Sequence, residues 1–350
     1  MTSNGEIIVE RCGAVGRIRL NRPKALNSLT LGMVSDIAAA LDQFERDDRV
    51  FAVVVTGEGE RGFCAGGDIR ALYESGRADG LMARRFWRDE YRLNDRISRY
   101  PKLYVAVVDG IAMGGGVGIS AYGSHRIVTE RTRLAMPETG IGFFPDVGAS
   151  WLLSQQNRDI GLFLALTGEE IGAADAIAAD LADIYLHSAQ LPDLLRELQH
   201  LSDARDLDDL LTNLAERSDA APLAKLESHR DMIERVFSFG TIEEILAALE
   251  RESGSCAARI RNVLLARSPT SLKLTLQLMR LGRQSSLRDC LEREYAATSG
   301  ILRGYDFYEG VRAAVIDKDR SPRWRPDRIE LVTNASLDEF RHSPLKPLFR

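Results

Sequence analysis

The sequence has few cysteines, no long apolar run and no excess of positive charge, and each absence excludes a class of protein. Its four cysteines include no CxxC pair, which indicates reduced thiols rather than a disulfide framework or a zinc site. No apolar run approaches the roughly 18 residues that a membrane span requires. The formal net charge of -5 gives no basis for general nucleic-acid binding. We therefore expect no membrane, no nucleic acid and no metal as partner.

The first ten residues have few features of a targeting segment. They contain no basic stretch followed by an apolar run, as a signal peptide does, and they are not rich in arginine and serine. Together with the reduced thiols, this composition predicts a cytoplasmic protein.

The first half of the chain alternates strand patterns with loops and helical patterns. The continuous apolar runs at residues 50–55 (VFAVVV) and 104–108 (YVAVV) predict parallel strands that are buried on both faces. Shorter strands are expected at residues 7–9, 15–20 and 126–129. A helix with Thr30 as its N-cap precedes the first apolar run, and a helix of small residues is expected at 117–122. This succession predicts an α/β fold.

The second half of the chain is helical in pattern from residue 181 to residue 303. Leucines recur at helical spacing, and charges of both signs alternate along the same stretches, as on solvated helix faces. From residue 321 the tail contains several prolines and is expected to be an extended, docked or partly ordered end. We predict a core of residues 1–185 and a helical C-terminal region of residues 186–350 that packs on it.

Two glycine-rich turns have the pattern of an anion-binding backbone. Residues 63–70 (FCAGGDIR) lead from a strand region into a helix near Ile69, and residues 113–118 (MGGGVG) repeat this arrangement. A helix N-terminus leaves backbone N–H groups unpaired, and glycine allows a ligand to approach them closely. Two such turns on adjacent strands can direct two N–H groups at one oxygen, as in an oxyanion hole. The alternative is a pair of tight turns without a ligand.

Glu138 and Asp146 are two carboxylates in a segment that is otherwise apolar or rich in glycine and proline. Carboxyl groups in apolar surroundings have raised pKa values and suit acid–base or nucleophilic catalysis. The alternatives are that Asp146 caps the helix beginning near Gly148 and that Glu138 pairs with an arginine. A serine hydrolase is poorly supported, since no G-x-S-x-G motif occurs, and His125 is interpreted as structural.

These elements, in this order, resemble the crotonase (enoyl-CoA hydratase/isomerase) superfamily. The similarity rests on FCAGGDIRAL, GIAMGGGVGIS and AMPETGIGFFPDVGASWLL, and FWRDEYRLN and DFYEGVRAAVIDKDRSPRW extend it over nearly the whole chain. The resemblance implies a crotonase-like spiral of ββα units with a helical C-terminal region. It also implies an acyl-CoA substrate, no separate cofactor and a homo-oligomer built from trimers.

The resemblance further assigns residues to the expected site. Gly67 and Gly115 fall where the superfamily has its oxyanion-hole N–H donors. Glu138 aligns with one catalytic glutamate of the hydratases, whereas Gly118 occupies the place of the other. The expected CoA-binding residues lie in two segments: Lys24, Ala25, Leu26, Ala65, Gly67, Asp68 and Ile69.

Asp146 stands where the hydratases have a glycine. The acidic pair of this chain is therefore Glu138 and Asp146, and this pair resembles that of the hydrolases in the superfamily. This implies hydrolysis of a short 3-hydroxyacyl-CoA, with 3-hydroxyisobutyryl-CoA from valine breakdown as the expected substrate. Glu138 either attacks the carbonyl carbon or deprotonates a water, and Asp146 binds the 3-hydroxyl or moves a proton. The alternatives are an enoyl-CoA hydratase or isomerase, against which Gly118 argues, and a non-catalytic CoA- or RNA-binding relative.

Glu90 is a further candidate for the acyl pocket. It lies in a helical stretch whose apolar face carries Phe86, Leu93 and Ile97. The alternative is a solvated glutamate on a helix surface, as most glutamates are.

Overall fold

The structure of the chain, a computed structural model, describes residues 5–155, 158–201, 203–217, 221–341 and 346–349. Numbered in chain order, the strands are β1 Ile7–Cys12, β2 Val15–Leu20, β3 Ala52–Gly57, β4 Gly62–Cys64, β5 Leu103–Val108, β6 Ile111–Met113, β7 His125–Val128, β8 Arg133–Ala135 and β9 Ile184–Tyr185. The helices are α1 Leu31–Arg46, α2 Ile69–Arg77, α3 Leu81–Ser98, α4 Gly115–Gly118, α5 Ala149–Leu152, α6 Arg158–Thr167, α7 Ala173–Ala178, α8 Leu191–Glu197, α9 Ala204–Arg217, α10 Arg230–Phe237, α11 Ile242–Arg251, α12 Ser255–Leu265, α13 Pro269–Gly282, α14 Leu287–Arg303, α15 Asp306–Val311 and α16 Asn334–Arg341.

The chain forms two compact units, and each is assembled from separate segments of the sequence. The first unit comprises Met1–Gly67, Leu93–Leu134 and Ile171–Glu227. The second comprises Asp68–Arg92, Ala135–Glu170 and Ser228–Arg350. These segments interleave along the chain, whereas the division predicted at residue 185 is a single cut, and that division stays a prediction.

A six-stranded sheet in the order β1-β2-β3-β5-β7-β9 organises the first unit. The β1–β2 pair is antiparallel, and the remaining neighbours are parallel. Val54 in β3 pairs with Arg17 on one side and Val105 on the other. All but the last residue of β3 are buried, as the continuous apolar run predicted. The N-cap prediction for α1 is also confirmed, because the Thr30 hydroxyl accepts from the Met33 N–H at 3.1 Å.

Two predictions about secondary structure in this unit are wrong. Residues 184–185 form an edge strand rather than the start of a helical region, because Ile184 pairs with Ile127 of β7. The helix expected at residues 117–122 is only the single turn α4, which begins and ends earlier. Glycine costs about 1 kcal/mol per residue in a helix, so the glycine-rich turn does not extend into a longer helix.

A second sheet in the order β4-β6-β8 was not predicted. Its strands β4 and β6 are parallel, with Gly62 opposite Ile111 and Cys64 opposite Ala112. The two glycine-rich segments follow these short strands rather than the long strands β3 and β5. Strands of three residues carry too little apolar periodicity to be identified from the sequence.

Leucines of α8 and α9 pack on the six-stranded sheet within the first unit. Leu194, Leu207 and Leu211 belong to one buried cluster with Val105 and Ile127. The leucines that recur at helical spacing therefore form a buried face of these two helices.

The second unit is predominantly helical. Helices α11 and α13 lie in the stretch from residue 181 to residue 303 that was predicted to be helical. The backbones of α13 and α5 approach closely, because a β-carbon at Gly282 would lie 1.8 Å from the Ser150 carbonyl oxygen. The C-terminal tail, predicted to be extended, also contains helix α16. None of the described helices has both the length and the apolar composition that a membrane span requires.

Candidate active site

The two glycine-rich turns lie against each other in the first unit. They follow the parallel strands β4 and β6, so both segments of the chain leave the small sheet at the same edge. Gly66 has a φ of +97°, and a β-carbon there would lie 3.0 Å from the Met113 carbonyl oxygen and 3.4 Å from the Gly115 nitrogen. Glycine is required at this position both by its left-handed backbone and by this close approach.

The N–H groups of Gly67 and Gly115, the predicted oxyanion-hole donors, have no backbone acceptor among the hydrogen bonds of the described residues. Gly115 is the first residue of α4, where an N–H has no partner inside the helix. Two unpaired donors on neighbouring turns can stabilise a negatively charged oxygen.

The structure brings together the two segments in which CoA-binding residues were predicted. The Ala65 N–H donates to the Leu26 carbonyl oxygen at 3.0 Å, and the Leu29 N–H donates to the Gly66 carbonyl oxygen at 2.8 Å. Lys24 and Ala25 lie in an exposed 3-10 turn that precedes this junction.

The last two predicted CoA-binding residues belong to the second unit. Asp68 caps α2, accepting from the Ala71 N–H at 3.3 Å, and Ile69 is the first residue of that helix. Asp68 therefore has a structural contact that is sufficient to explain an acidic residue at this position.

Asn27 was missed by the sequence analysis. It holds the loop that carries the predicted CoA-binding residues 24–26. Its side chain is fully buried, and its Nδ2 donates to the carbonyl oxygens of Glu58 and Gly62 at 3.0 and 2.9 Å. Its Oδ1 accepts from the Arg22 N–H at 2.8 Å. Asn27 has a φ of +56°, a conformation that asparagine tolerates better than most residues. An asparagine directly after the predicted CoA-binding segment was the available signal.

In the second unit, the predicted carboxyl groups Glu90, Glu138 and Asp146 form one buried cluster. Their exposed fractions are 2%, 7% and 5%. Burial raises the pKa of Glu90 well above its ordinary value, and the negative charges of Asp146 and Glu138 raise it further. The alternative of a solvated Glu90 is therefore excluded, while its role in the acyl pocket stays a prediction.

Asp146 accepts a hydrogen bond from the Tyr91 hydroxyl at 2.7 Å. Burial raises the pKa of Asp146 to about 7, and the Tyr91 hydrogen bond opposes this rise. The capping alternative fails for the carboxylate: α5 begins at Ala149, and its N-cap position is Gly148, without a side-chain cap. The contact of Asp146 with this helix is made by its backbone carbonyl oxygen, which accepts from the Ala149 N–H at 2.8 Å.

Glu138 begins a 3-10 turn, Glu138–Ile141, and carries a carboxyl oxygen without a partner. Its Oε2 is buried and accepts no hydrogen bond from any described group. Burial raises the pKa of Glu138 well above its ordinary value; the charge of Asp146 adds to this effect and that of Arg267 opposes it. Arg267 donates instead to the Thr167 carbonyl oxygen. A desolvated carboxyl group of this kind is a stronger base and nucleophile when it ionises.

The turn that carries Glu138 is fixed by its neighbours. The Thr139 hydroxyl donates to the Leu166 carbonyl oxygen at 3.0 Å, and the Ser268 N–H donates to the Thr139 carbonyl oxygen at 3.2 Å. A β-carbon at Gly140 would lie 2.3 Å from Nη1 of Arg267. A side chain at position 140 would therefore require the Arg267 guanidinium to move.

Stacked aromatic rings supply apolar surroundings to the Glu138–Asp146 segment. The rings of Trp87 and Phe143 are 5.4 Å apart and nearly parallel, and Phe143 stacks on Phe144 at 4.5 Å. Phe307 contacts Phe143 at 5.9 Å. These rings contribute to the low polarity that raises the carboxyl pKa values.

Glu294 was also missed by the sequence analysis. It is fully buried and accepts hydrogen bonds from the Gly148 and Ser150 N–H groups at 2.6 and 3.0 Å and from the Ser150 hydroxyl at 2.5 Å. Burial raises its pKa to about 8. The sequence around Glu294 resembles an ordinary charged helix face, so it gave no signal. Tyr91 was also missed, and its signal in the sequence was its position directly after the candidate Glu90.

No metal-binding group of three or more His, Cys, Asp or Glu residues occurs in the part of the chain that the structure describes. His125 contacts the Ser124 hydroxyl and the Asp208 carboxylate, at 3.0 and 3.1 Å. These contacts suit the structural interpretation of this histidine.

Comparisons with known proteins match the chain over nearly its whole length. A family model described as enoyl-CoA hydratase/isomerase matches residues 15–340. A mitochondrial 3-hydroxyisobutyryl-CoA hydrolase of Danio rerio is 42% identical over 341 residues, which cover 96% of this chain and 89% of that protein. The corresponding protein of Homo sapiens is 41% identical over 337 residues, with coverages of 95% and 87%.

Two solved structures of proteins that are named for other reactions share the fold. A carnitinyl-CoA dehydratase from Mycobacterium thermoresistibile superposes with a TM-score of 0.92 at 41% identity, covering 99% of this chain and 98% of that one. An enoyl-CoA hydratase from Rhodobacter sphaeroides 2.4.1 gives a TM-score of 0.88 at 41% identity, with coverages of 97% and 98%. The expected crotonase fold is thereby confirmed.

The curated relatives are mitochondrial proteins by name, and this contradicts the cytoplasmic location predicted above. That prediction is wrong for a physical reason. Free cysteines indicate a reducing environment, and this property does not distinguish the cytosol from other compartments that keep thiols reduced.

Proposed function

Because the chain belongs to the enoyl-CoA hydratase/isomerase family, the crotonase superfamily, we propose that it hydrolyses 3-hydroxyisobutyryl-CoA to 3-hydroxyisobutyrate and coenzyme A. The curated relatives that match almost the full chain at about 40% identity are hydrolases of this thioester. We assign this reaction to valine breakdown.

The observation that carries the proposal is the buried pair of Glu138 and Asp146. A hydratase requires a second glutamate at the place where this chain has Gly118, which has no side chain. Asp146 supplies the missing acidic partner from a different place in the sequence, and its charge acts directly on Glu138. An acidic pair of this kind suits attack on a thioester and proton transfer to the leaving group.

In the proposed reaction, the N–H groups of Gly67 and Gly115 bind the thioester carbonyl oxygen. The ionised Glu138 carboxylate attacks the carbonyl carbon, and the tetrahedral oxyanion that forms is stabilised by these two donors. Collapse of this intermediate breaks the C–S bond and releases the CoA thiolate, which takes up a proton. Water then opens the resulting mixed anhydride, which gives the free acid and regenerates Glu138.

Asp146 is assigned to the 3-hydroxyl of the substrate and Glu90 to the acyl pocket. A polar group left unpaired in a closed site costs roughly 1–3 kcal/mol, so an acidic acceptor favours hydroxylated acyl chains. The residues at 24–26 and 65–69 are assigned to the CoA moiety. We further propose that the reaction uses no cofactor and that the assembly is built from trimers.

A thiol-release assay over a panel of acyl-CoAs tests the function. The panel contains 3-hydroxyisobutyryl-CoA, its analogue without the 3-hydroxyl, and a 2-enoyl-CoA. We expect free CoA from the hydroxylated substrate at the highest kcat/KM. Loss of the enoyl absorbance without thiol release would instead support the hydratase reaction for which the similar protein of Rhodobacter sphaeroides 2.4.1 is named.

A further inference from the structure

Tyr91 is the nearest hydrogen-bonding partner of the Asp146 carboxyl group in the second unit. Its side chain is completely buried in α3, and its hydroxyl lies 2.7 Å from Oδ2 of Asp146. We propose that Tyr91 is a positioning residue of the hydrolase reaction, which holds the Asp146 carboxyl group in one orientation through this hydrogen bond. The inference rests on the proposed function, because it assigns Asp146 a role in that reaction.

The phenol ring is itself held in place. Tyr91 contacts Tyr295 edge to face, with ring centroids 6.4 Å apart. A tyrosine side chain has only two rotatable torsions before the ring, so packing of the ring fixes the position of the hydroxyl. The O–H group therefore reaches Asp146 from a rigid support rather than from a flexible chain.

Glu294 holds the same segment from another helix. Its carboxyl group in α14 accepts from the N–H groups of Gly148 and Ser150 and from the Ser150 hydroxyl. Tyr91 thus fixes the carboxyl group of Asp146, and Glu294 fixes the backbone that follows it. With both partners present, the carboxyl group has little freedom to rotate before the substrate binds.

Tyr91 keeps its phenolic proton to a higher pH than an exposed tyrosine does. Burial raises its pKa well above the ordinary value, and the charges of Asp146, Glu294 and Glu90 raise it further. A neutral phenol that donates to Asp146 favours the ionised carboxylate and opposes the effect of burial. Removal of the hydroxyl takes away the larger of the two hydrogen-bond effects that lower the pKa of Asp146 and leaves its backbone hydrogen bond.

Tyr91→Phe removes this hydroxyl and keeps the ring. We expect the midpoint of the kcat–pH profile that belongs to Asp146 to move to higher pH by about one to two units, since hydrogen bonds to charged groups have that strength. At neutral pH, kcat falls roughly tenfold, while the affinity for free CoA changes little because the CoA-binding segments are untouched. Tyr308→Phe is the matched control: it removes a hydroxyl that donates to the Leu302 carbonyl oxygen at 2.8 Å, with no carboxyl group involved.

A second measurement does not depend on turnover. The Asp146 carboxyl carbon is observed by NMR in protein labelled at aspartate, with Asp146→Asn used for assignment, and is titrated in the native chain and in Tyr91→Phe. A higher Asp146 pKa in the variant supports the inference, and an unchanged one overturns it. If the native protein released no CoA, the proposed function would fail, whereas this titration would still decide whether Tyr91 governs Asp146.

Should Tyr91→Phe fail to fold, 3-fluorotyrosine at position 91 replaces it. The fluorinated phenol is a stronger donor in nearly the same volume, so the Asp146 midpoint is expected to move to lower pH. A midpoint that stays in place with the stronger donor overturns the inference, and one that moves down supports it.

Discussion

The Gly148 N–H donates to the Glu294 carboxyl group at 2.6 Å, although 146 residues separate the two along the chain. Glu294 is completely buried, and its carboxyl group also accepts from Ser150. The contact joins α14 to the backbone that follows Asp146. A carboxyl group in this position stabilises the segment, and its burial raises its pKa above the ordinary value.

Glu294 is expected to make the stability of the fold depend on pH. Its pKa is about 8 in the folded chain, raised from an ordinary value of 4.5. Between these two values the folded protein keeps a proton that the unfolded chain has lost. The stabilising contribution of Glu294 to the free energy of unfolding is therefore fully present below about pH 4.5. It is lost as the pH rises through about 8.

Glu294→Gln tests this dependence, because an amide keeps the shape of the side chain and does not titrate. The free energy of unfolding, measured with urea at several pH values between 5 and 8, should decline less steeply in the variant. Glu169→Gln serves as the control, since Glu169 is a partly exposed residue that pairs with the more exposed Arg259. Parallel curves for the native chain and Glu294→Gln would contradict the prediction.

Glu138→Ala should abolish CoA release while CoA binding is retained. Glu138 is assigned the attack on the carbonyl carbon, and loss of an attacking group lowers kcat by roughly 10⁴-fold or more. CoA affinity, measured by calorimetry, should change little, because Glu138 lies outside the residues assigned to CoA. Glu169→Ala is the control, and a Glu138→Ala protein with native turnover would refute the assignment.

Turnover in oxygen-labelled water separates direct attack by Glu138 from general-base catalysis. Water that opens the anhydride on the enzyme side leaves label in the Glu138 carboxyl group, which mass spectrometry of the proteolysed protein detects. Attack of water on the substrate cannot place label there. Label in the product alone is expected when water opens the anhydride at the acyl carbon, so label in Glu138 is the decisive outcome for direct attack.

Asp146→Ala should lower turnover and weaken the preference for hydroxylated acyl chains. The carboxylate is assigned to the 3-hydroxyl, and loss of such a contact costs roughly 1–3 kcal/mol, a factor of about 5 to 150 in kcat/KM. The measurement is the ratio of kcat/KM for 3-hydroxyisobutyryl-CoA and its analogue without the hydroxyl. An unchanged ratio would remove Asp146 from substrate recognition.

Gly115→Pro should lower kcat by about a hundredfold, because proline deletes one of the two N–H donors. Gly115 is the first residue of α4, a position at which proline is compatible with the helix. Gly115→Ala keeps the N–H and provides the comparison. Circular dichroism verifies that both variants fold, and full turnover by folded Gly115→Pro would exclude the oxyanion role of this group.

Much of the molecule was accessible from the sequence because its signals are local. The continuous apolar run of β3 predicted a strand that is covered on both faces, and Thr30 marked the start of α1. Glu138 and Asp146 were identifiable because carboxyl groups are unusual in an apolar, glycine-rich segment. The glycine pattern likewise identified the turns of Gly67 and Gly115, since a close approach of two backbones excludes larger side chains.

Only the tertiary structure decided how these groups are surrounded. Glu90 is buried rather than solvated, Tyr91 donates to Asp146, and Glu294 accepts from Gly148. These contacts join residues that are distant in the chain, and no local pattern encodes which helix face is covered by a distant segment. The pKa of a carboxyl group depends on this desolvation and on its neighbours. The sequence therefore determined which chemical groups are present, and the tertiary structure decided their protonation and their partners.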